Sequence, residues 1–361
     1  MPRVIGIDPG TVSIDVCGLD DGRVFLDRSW PTADALADLA PFIAALEGAG
    51  PLDLVAGPSG YGLPVTRVQE ASDEDLRLAF LAPPGEPGGI GGLRALVRAL
   101  AGSTLPVVLT PGVVHLPTVP AHRKVNRVDM GTADKVCAVA LAVAEQARRL
   151  ARPLAAVSLV LLELGGAFTA AVAVAEGRIV DGVGGSGGPL GFRAAGALDG
   201  EVAYLAGAVP KALLFRGGAA AAAGWDDATG SPERLAHPTT PAERVAWEAF
   251  VEGVVKTAVA LATSVPTLEE FVLSGRLARI EPLGRAIRER LDPLAPTRVL
   301  EGFARTAKEG AQGAALIADG LASGTNRELV ELLAIREARG TVLDHLYVIS
   351  REQARRRLGL T

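Results

Sequence analysis

Two short stretches of this chain end an apolar run with a carboxylate set beside bare glycine. In VIGIDPGT, Asp8 precedes Gly10 and Thr11; in VLLELGGAFT, Glu163 precedes Gly165, Gly166 and Thr169. Backbone N–H groups at a glycine turn can face an anion. A carboxylate at the strand end can hold Mg2+, directly or through water, since that ion takes oxygen ligands and keeps several waters. Two such turns together make a phosphate clamp, with Asp8 and Glu163 as the metal carboxylates. A lone Asp-Pro-Gly is an ordinary turn, and two unrelated β-hairpins are the plainer alternative.

The surroundings of the two turns match. RVIGIDPGTVSIDVCGLDDGRVFLDRS and VSLVLLELGGAFTAAVAVAEGRIVDGVGG share one order: apolar strand, acidic residue, glycine turn with a Thr after it, second strand, acidic-Gly hairpin, third strand. This is an internal repeat of one supersecondary unit. It predicts strands at 3–8, 13–19 and 23–30, and again at 157–163, 167–175 and 178–183. Thr32 is placed to cap a helix over 33–47. A buried strand at 52–57 runs into GPSGYG, helices follow near 72–81 and 90–101, and then a strand at 106–110. Residues 111–130 form a long aperiodic loop, of a length that suggests function. Helices are expected from Thr132 to Arg152, over 241–263 and over 307–321. A strand within 270–279 ends at Ser274 and Gly275, and the tail from Thr325 reads as two helices around 342–349.

Three cations, Arg123, Lys124 and Arg127, stand beside Asp129 in HRKVNRVD. Guanidinium forks bind carboxylate or phosphate in bidentate fashion; a solvated basic loop tied by a surface ion pair is the alternative. Asp129 can orient or deprotonate a hydroxyl acceptor, or hold an Arg or a metal-bound water when the acceptor is already ionised. Arg193, in the glycine loop GGSGGPLGFRAAGAL at 184–198, is the candidate to neutralise a transferring phosphoryl group; its plainer role is a pair with Asp199 or Asp181. His115 reads as a structural histidine and His122 as a substrate contact beside the cation cluster; Lys135 can reach phosphate, and its plainer role is a solvated residue.

The order GIDPGT, helix 131–151, LELGGAFT, VLSGRL, GAQGAALIADGL resembles the superfamily of acetate and sugar kinases, heat-shock ATPases and actin, through residue 321. The resemblance implies an α/β fold, a duplicated ribonuclease H-like two-lobe fold with a nucleotide cleft between the lobes. It implies a lobe at 1–130, a second lobe with connecting helices at 131–325, and a helical tail at 326–361. It implies ATP and Mg2+ as cofactors, phosphate contacts from Asp8, Gly10, Thr11, Gly165, Gly166 and Thr169, and adenosine contacts from Ser274 and Gly275. The second hairpin of that superfamily usually starts with Asp, and here it starts with Glu163. Within the superfamily, 184–198 looks like the Gly-Pro…Arg-x-Gly loop of acetate and butyrate kinases. The stretch AHRKVNRVDMGTADK is similar to a signature of predicted butyrate kinases. A kinase making an acyl phosphate from a short carboxylic acid is therefore expected, with Asp129, Arg193, Arg123 and Arg127 as catalytic residues. A hydroxyl-acceptor kinase and a nucleotide-dependent switch stay open as alternatives.

Bulk properties indicate a globular protein. The chain has 361 residues, 49% hydrophobic and 21% charged, enough for two cores. A net charge of −5 argues against nucleic acid as a partner. The N-terminus reads directly into a strand with no signal peptide, and no apolar run would span a bilayer. A cytoplasmic protein with a small-molecule acceptor and no membrane partner is expected; a homodimer stays open. Cys17 and Cys137 read as buried free thiols. The segment 210–240 is expected to serve as a lid or a dimer contact.

Overall fold

The structure, a computed structural model, describes residues 2–57, 60–83, 91–226 and 230–360. Pro58 and Ser59 of GPSGYG, Ile90 at the expected start of helix 90–101, and residues 227–229 of the 210–240 segment lie outside them. The chain divides into two compact units: Met1–Val157, Glu176–Ile179 and Glu301–Thr361 in the first, Ser158–Ala175 and Val180–Leu300 in the second.

The first sheet contains β1 (Arg3–Pro9), β2 (Ser13–Asp20), β3 (Arg23–Pro31), β4 (Leu54–Gly57), β5 (Thr66–Arg67) and β6 (Val107–Leu109), in the order β3-β2-β1-β4-β6-β5. The second contains β7 (Leu159–Leu164), β8 (Thr169–Ala175), β9 (Arg178–Val183), β10 (Glu270–Ser274) and β11 (Thr297–Val299), in the order β11-β10-β7-β8-β9. Counted within each unit and setting β5 aside, both sheets read 3-2-1-4-5. An antiparallel meander leads on one side, and strands parallel to the first lie on the other. The sequence repeat is thus a repeat of topology, and the fold is the duplicated ribonuclease H-like α/β fold that the motifs imply.

Strand alternation decides what each face of β1 covers. Ile5 and Ile7 join Ile14, Val16, Phe42 and Leu96 in a core on one face. Gly6 and Asp8 point to the other, where helix Glu309–Leu321 packs: a Cβ on Gly6 would lie 2.2 Å from the Ala311 carbonyl oxygen and the Ala315 nitrogen. On its far side the same helix meets helix Ala133–Leu150, where a Cβ on Gly313 would lie 1.7 Å from the Cys137 carbonyl oxygen. In the second unit, Val160, Leu162, Leu164, Phe271 and Leu273 pack against Phe250 and Val254 of helix Pro241–Ala262.

Some expectations change. The helix expected over 33–47 is two helices, Thr32–Ala37 and Ala40–Glu47. Asp38 is extended and its carboxylate accepts the Ala40 N–H at 3.0 Å, restarting the chain ahead of Pro41, which has no N–H to give. Thr32 does not cap; its hydroxyl donates to the Gly10 carbonyl at 2.7 Å. β5 and β11, two and three residues long, were too short to show in the sequence pattern. The strand expected from 167 starts at Thr169, because Ala167 and Phe168 belong to the turn. The loop 111–130 contains a 3-10 turn at Val113–His115 and a helical turn at Ala121–Lys124. Both thiols are buried and free. Burial, with the nearby Asp27 carboxylate, pushes Cys17 up to about 12. Among the described residues no helix is long and apolar enough to cross a membrane.

Candidate phosphate-binding site

In the first unit the site starts where β1 turns into β2. The Gly10 N–H donates to the Ser13 carbonyl at 2.9 Å, closing the turn, and the Gly10 carbonyl accepts from Thr32. The Gly10 amide, expected from the motif to face an anion, is spent inside the turn instead, and Thr11 lies exposed beside it. Asp8 is half-buried and stands directly opposite Asp15 in the β1–β2 ladder, so two carboxylates share one face. Like charges in that position repel, and two features offset the repulsion. The Lys308 ammonium lies 2.9 Å from Asp15, which also accepts the Ser13 hydroxyl at 2.7 Å. The first turn of helix Glu309–Leu321 lies against Asp8, since a Cβ on Gly310 would come within 2.5 Å of its carboxylate oxygen. That end of a helix carries partial positive charge.

A second helix start lies close by. Burial raises the Cys137 thiol well above its ordinary range, and the Asp134 and Asp8 carboxylates add to the shift, so both reach this part of the helix. Burial alone would raise Asp134, but the neighbouring Lys135 ammonium and the Thr132 hydroxyl outweigh it and hold the carboxyl below the usual range. Lys135 is therefore an ion-pair partner of Asp134, not the solvated residue expected. Asp129, buried, accepts the Gly131 N–H at 3.3 Å; Gly131 adopts φ +122, a conformation suited to glycine, ahead of the helix.

The three cations of HRKVNRVD part company. Lys124 turns inward and donates to the Leu116 carbonyl at 2.8 Å, and burial lowers its pKa. Arg123 is half-buried, and Arg127 is exposed. Asn126, a residue no sequence motif marks, sits at φ +54 and fastens the C-terminal tail. Its N–H donates to the His345 carbonyl at 2.8 Å, and its side-chain oxygen accepts from Tyr347 and Val348 N–H at 2.7 and 3.1 Å. His115 is buried, and the Gly112 backbone is the polar group nearest its ring. Burial first, and then the Lys124 charge, keep it neutral, with a pKa down to about 4. His122 is exposed.

The second unit repeats the turn. The Gly165 N–H donates to the Phe168 carbonyl at 3.0 Å, so it too closes its hairpin, and Gly166 beside it has open space where a Cβ would stand. Glu163, half-buried, pairs with Ala170 across the ladder and lies level with Ser274 of β10. Gly275, at φ +84, abuts the end of β7: a Cβ there would lie 2.7 Å from the Leu164 carbonyl oxygen. The Ser274 and Thr169 hydroxyls are buried without a hydrogen-bond partner among the described residues. Thr169 pairs with Leu164, which places it on the face opposite Glu163.

The glycine loop 184–198 is bound to this turn by its backbone. The Arg193 and Ala194 N–H groups both donate to the Ala167 carbonyl at 3.1 Å, and the Arg193 carbonyl accepts from Gly218 at 2.8 Å. The Arg193 side chain is exposed, and neither anticipated carboxylate takes it. Asp199 caps helix Gly200–Ala206, and Asp181 accepts the Ser264 hydroxyl at 2.7 Å. The structure therefore gathers Asp8, Gly10 and Thr11 in one group and Glu163, Gly165, Gly166, Ser274, Gly275 and Arg193 in another. Arg123, Arg127 and Asp129 lie on the segment leading into helix Ala133–Leu150. Among the described residues, no group of three or more His, Cys, Asp or Glu is arranged to hold a metal ion.

A family model described as "Protein of unknown function (DUF1464)" matches residues 6–348. Among curated proteins, none matches the sequence. The propionate kinase of Francisella tularensis aligns with a TM-score of 0.61 at 14% identity, over 87% of this chain and 99% of its own. The acetate kinase of Entamoeba histolytica aligns at 0.58 and 11%, over 81% and 87%. A Listeria monocytogenes protein whose name gives N-acetylmannosamine kinase as its inferred activity aligns at 0.51 and 13%, over 87% and 97%. At these identities the likeness establishes the fold.

Proposed function

We infer that this chain, which belongs to the DUF1464 family, is an ATP- and Mg2+-dependent phosphotransferase that makes an acyl phosphate from a short-chain carboxylic acid of the acetate or butyrate type. The observation that carries this reading is the pair of equivalent acidic turns, Asp8–Gly10–Ser13 and Glu163–Gly165–Phe168, closed by the same backbone bond in two sheets of the same order. The similarity of 121–135 and 184–198 to butyrate kinase segments supports the carboxylic acceptor. The names of the acetate and propionate kinases that share the fold are consistent with it.

In this reading Thr11 and Gly166 receive the phosphates, while Ser274 and Gly275 meet the adenosine. Asp8 and Glu163 would hold Mg2+, which would supply positive charge against the phosphates. The acceptor carboxylate is ionised at neutral pH and attacks the γ-phosphorus directly. A carboxyl O–P bond forms, the bond from phosphorus to the β–γ bridging oxygen breaks, and ADP leaves with that electron pair. Such transfer depends on positioning and on charge stabilisation. Arg193 stabilises the transferring group, Arg127 and Arg123 hold the acceptor carboxylate, and Asp129 orients the segment that carries them. With a hydroxyl acceptor, Asp129 is instead the base; the Listeria protein's name makes that the second reading.

Arg193→Lys keeps the charge but loses the planar fork, so kcat falls while ATP affinity holds. Arg127→Ala raises the KM for the acid. Steady-state kinetics with a panel of short acids and polyols, with hydroxylamine trapping, checks both. Near-normal kinetics in both variants would sink the residue assignments. Turnover with polyols alone and no hydroxamate would favour the hydroxyl kinase, and tight ATP binding with no turnover would favour a switch.

A further inference from the structure

The cluster under the first turn does more than balance charge. Asp15 is 1% exposed, whereas the Lys308 side chain bound to it is 36% exposed. The ammonium also reaches the turn itself: it lies 3.0 Å from where a Cβ on Gly10 would stand and 3.5 Å from the Ser13 carbonyl oxygen. One face of this cation is thus fixed by a buried anion, and the other is open at the glycine turn. The second hairpin has Ala170 where the first has Asp15, so the arrangement belongs to the first turn alone.

The lysine is also held from behind. The loop from Glu301 to Ala307 ends at Lys308, and three side chains grip its backbone. Glu145 accepts the Gly302 N–H at 2.8 Å, and Gln312 accepts from Phe303 and Ala304 at 2.7 and 3.0 Å. Asp27 accepts from Arg305, Thr306 and Ala307, at 2.6 Å for the last. Burial opposes ionisation of Asp27, yet these N–H bonds outweigh it and hold its carboxyl below the usual range. A loop with so many backbone N–H groups fixed delivers its last residue to one place, which is how binding groups are pre-organised.

We propose that Lys308 is a nucleotide phosphate-binding residue of the first turn, with Asp15 as its positioning residue. The assignment rests on the kinase reading above. An ammonium suits phosphate as a point charge, and it supplies the positive charge that the spent Gly10 amide cannot. The plainer alternative is that Lys308 exists only to neutralise Asp15. The double variant Asp15→Asn/Lys308→Gln separates the two, because it removes both charges and leaves no buried carboxylate unpaired.

The test is calorimetric titration of the full chain with Mg·ADP and with adenosine, beside thermal melting. Lys308→Gln is expected to weaken Mg·ADP by ~10- to 100-fold, the range of a charge-assisted contact, and to leave adenosine unchanged. Lys308→Arg retains much of the affinity. The double variant melts closer to wild type than Lys308→Gln does, yet binds Mg·ADP as weakly. Wild-type Mg·ADP affinity in the double variant or in Lys308→Gln would overturn the assignment while leaving the kinase reading standing. A wild-type chain that binds neither Mg·ADP nor Mg·ATP would overturn both.

Discussion

Asp8→Ala is expected to lower ATP-dependent turnover by ~10²–10³-fold or more, the loss seen when one group aimed at transition-state charge is removed. The same change should shift the melting temperature little. Asp8 is half-buried at a strand end, where repulsion by the buried Asp15 carboxylate opposes attraction to the helix end that lies against it, so the two losses offset. Function and stability thus move independently at this residue, which a structural role would not produce. Turnover at the wild-type level, or a clear loss of stability that alone explains the loss of activity, would remove Asp8 from the site.

The second large effect concerns the packing that positions the site. Gly313 lies on the helix Glu309–Leu321 where it crosses helix Ala133–Leu150, and a Cβ would stand 1.7 Å from the Cys137 carbonyl oxygen. A backbone oxygen cannot swing aside as a side chain can. Gly313→Ala should therefore exceed the ~1–3 kcal/mol usual for overpacking, a large share of the roughly 5–15 kcal/mol that holds a domain folded. Gly200→Ala is the control: no atom lies within 4 Å of the new methyl, and the residue begins a helix. Denaturant unfolding should show Gly313→Ala far less stable than wild type and Gly200→Ala close to it. Equal midpoints for the two would mean that this helix crossing is looser than the structure has it. Because Lys308 and Gly310 stand at the head of the same helix, its displacement would also move the phosphate site.

The hairpins and their repetition were legible in the sequence because their determinants are local. Alternation sets the strands, and an acidic residue two positions before a glycine marks each turn. The sheet order followed once the two halves were seen to match. What was not legible depends on residues far apart in the chain. Asp15 reads as one polar position in a strand, and its meaning appears only with Lys308, nearly three hundred residues later. Asp27 looks like an exposed strand carboxylate until the loop before Lys308 folds onto it. Gly6 and Gly313 carry no sequence mark of the close helix approach they permit. Conversely, the cation cluster in HRKVNRVD looked uniform, yet burial commits Lys124 to a carbonyl and leaves Arg127 in solvent. Asn126, between them, serves the tail.

Transfer of label from γ-labelled ATP tests the central claim most directly. The full chain is incubated with Mg2+, the labelled nucleotide and a mixture of short-chain acids, and the label is followed with and without hydroxylamine. The account predicts that label leaves ATP into an acid-dependent product that hydroxylamine destroys, with a matching hydroxamate formed. Label that stays in ATP, or that appears only as inorganic phosphate whatever acceptor is supplied, would contradict it.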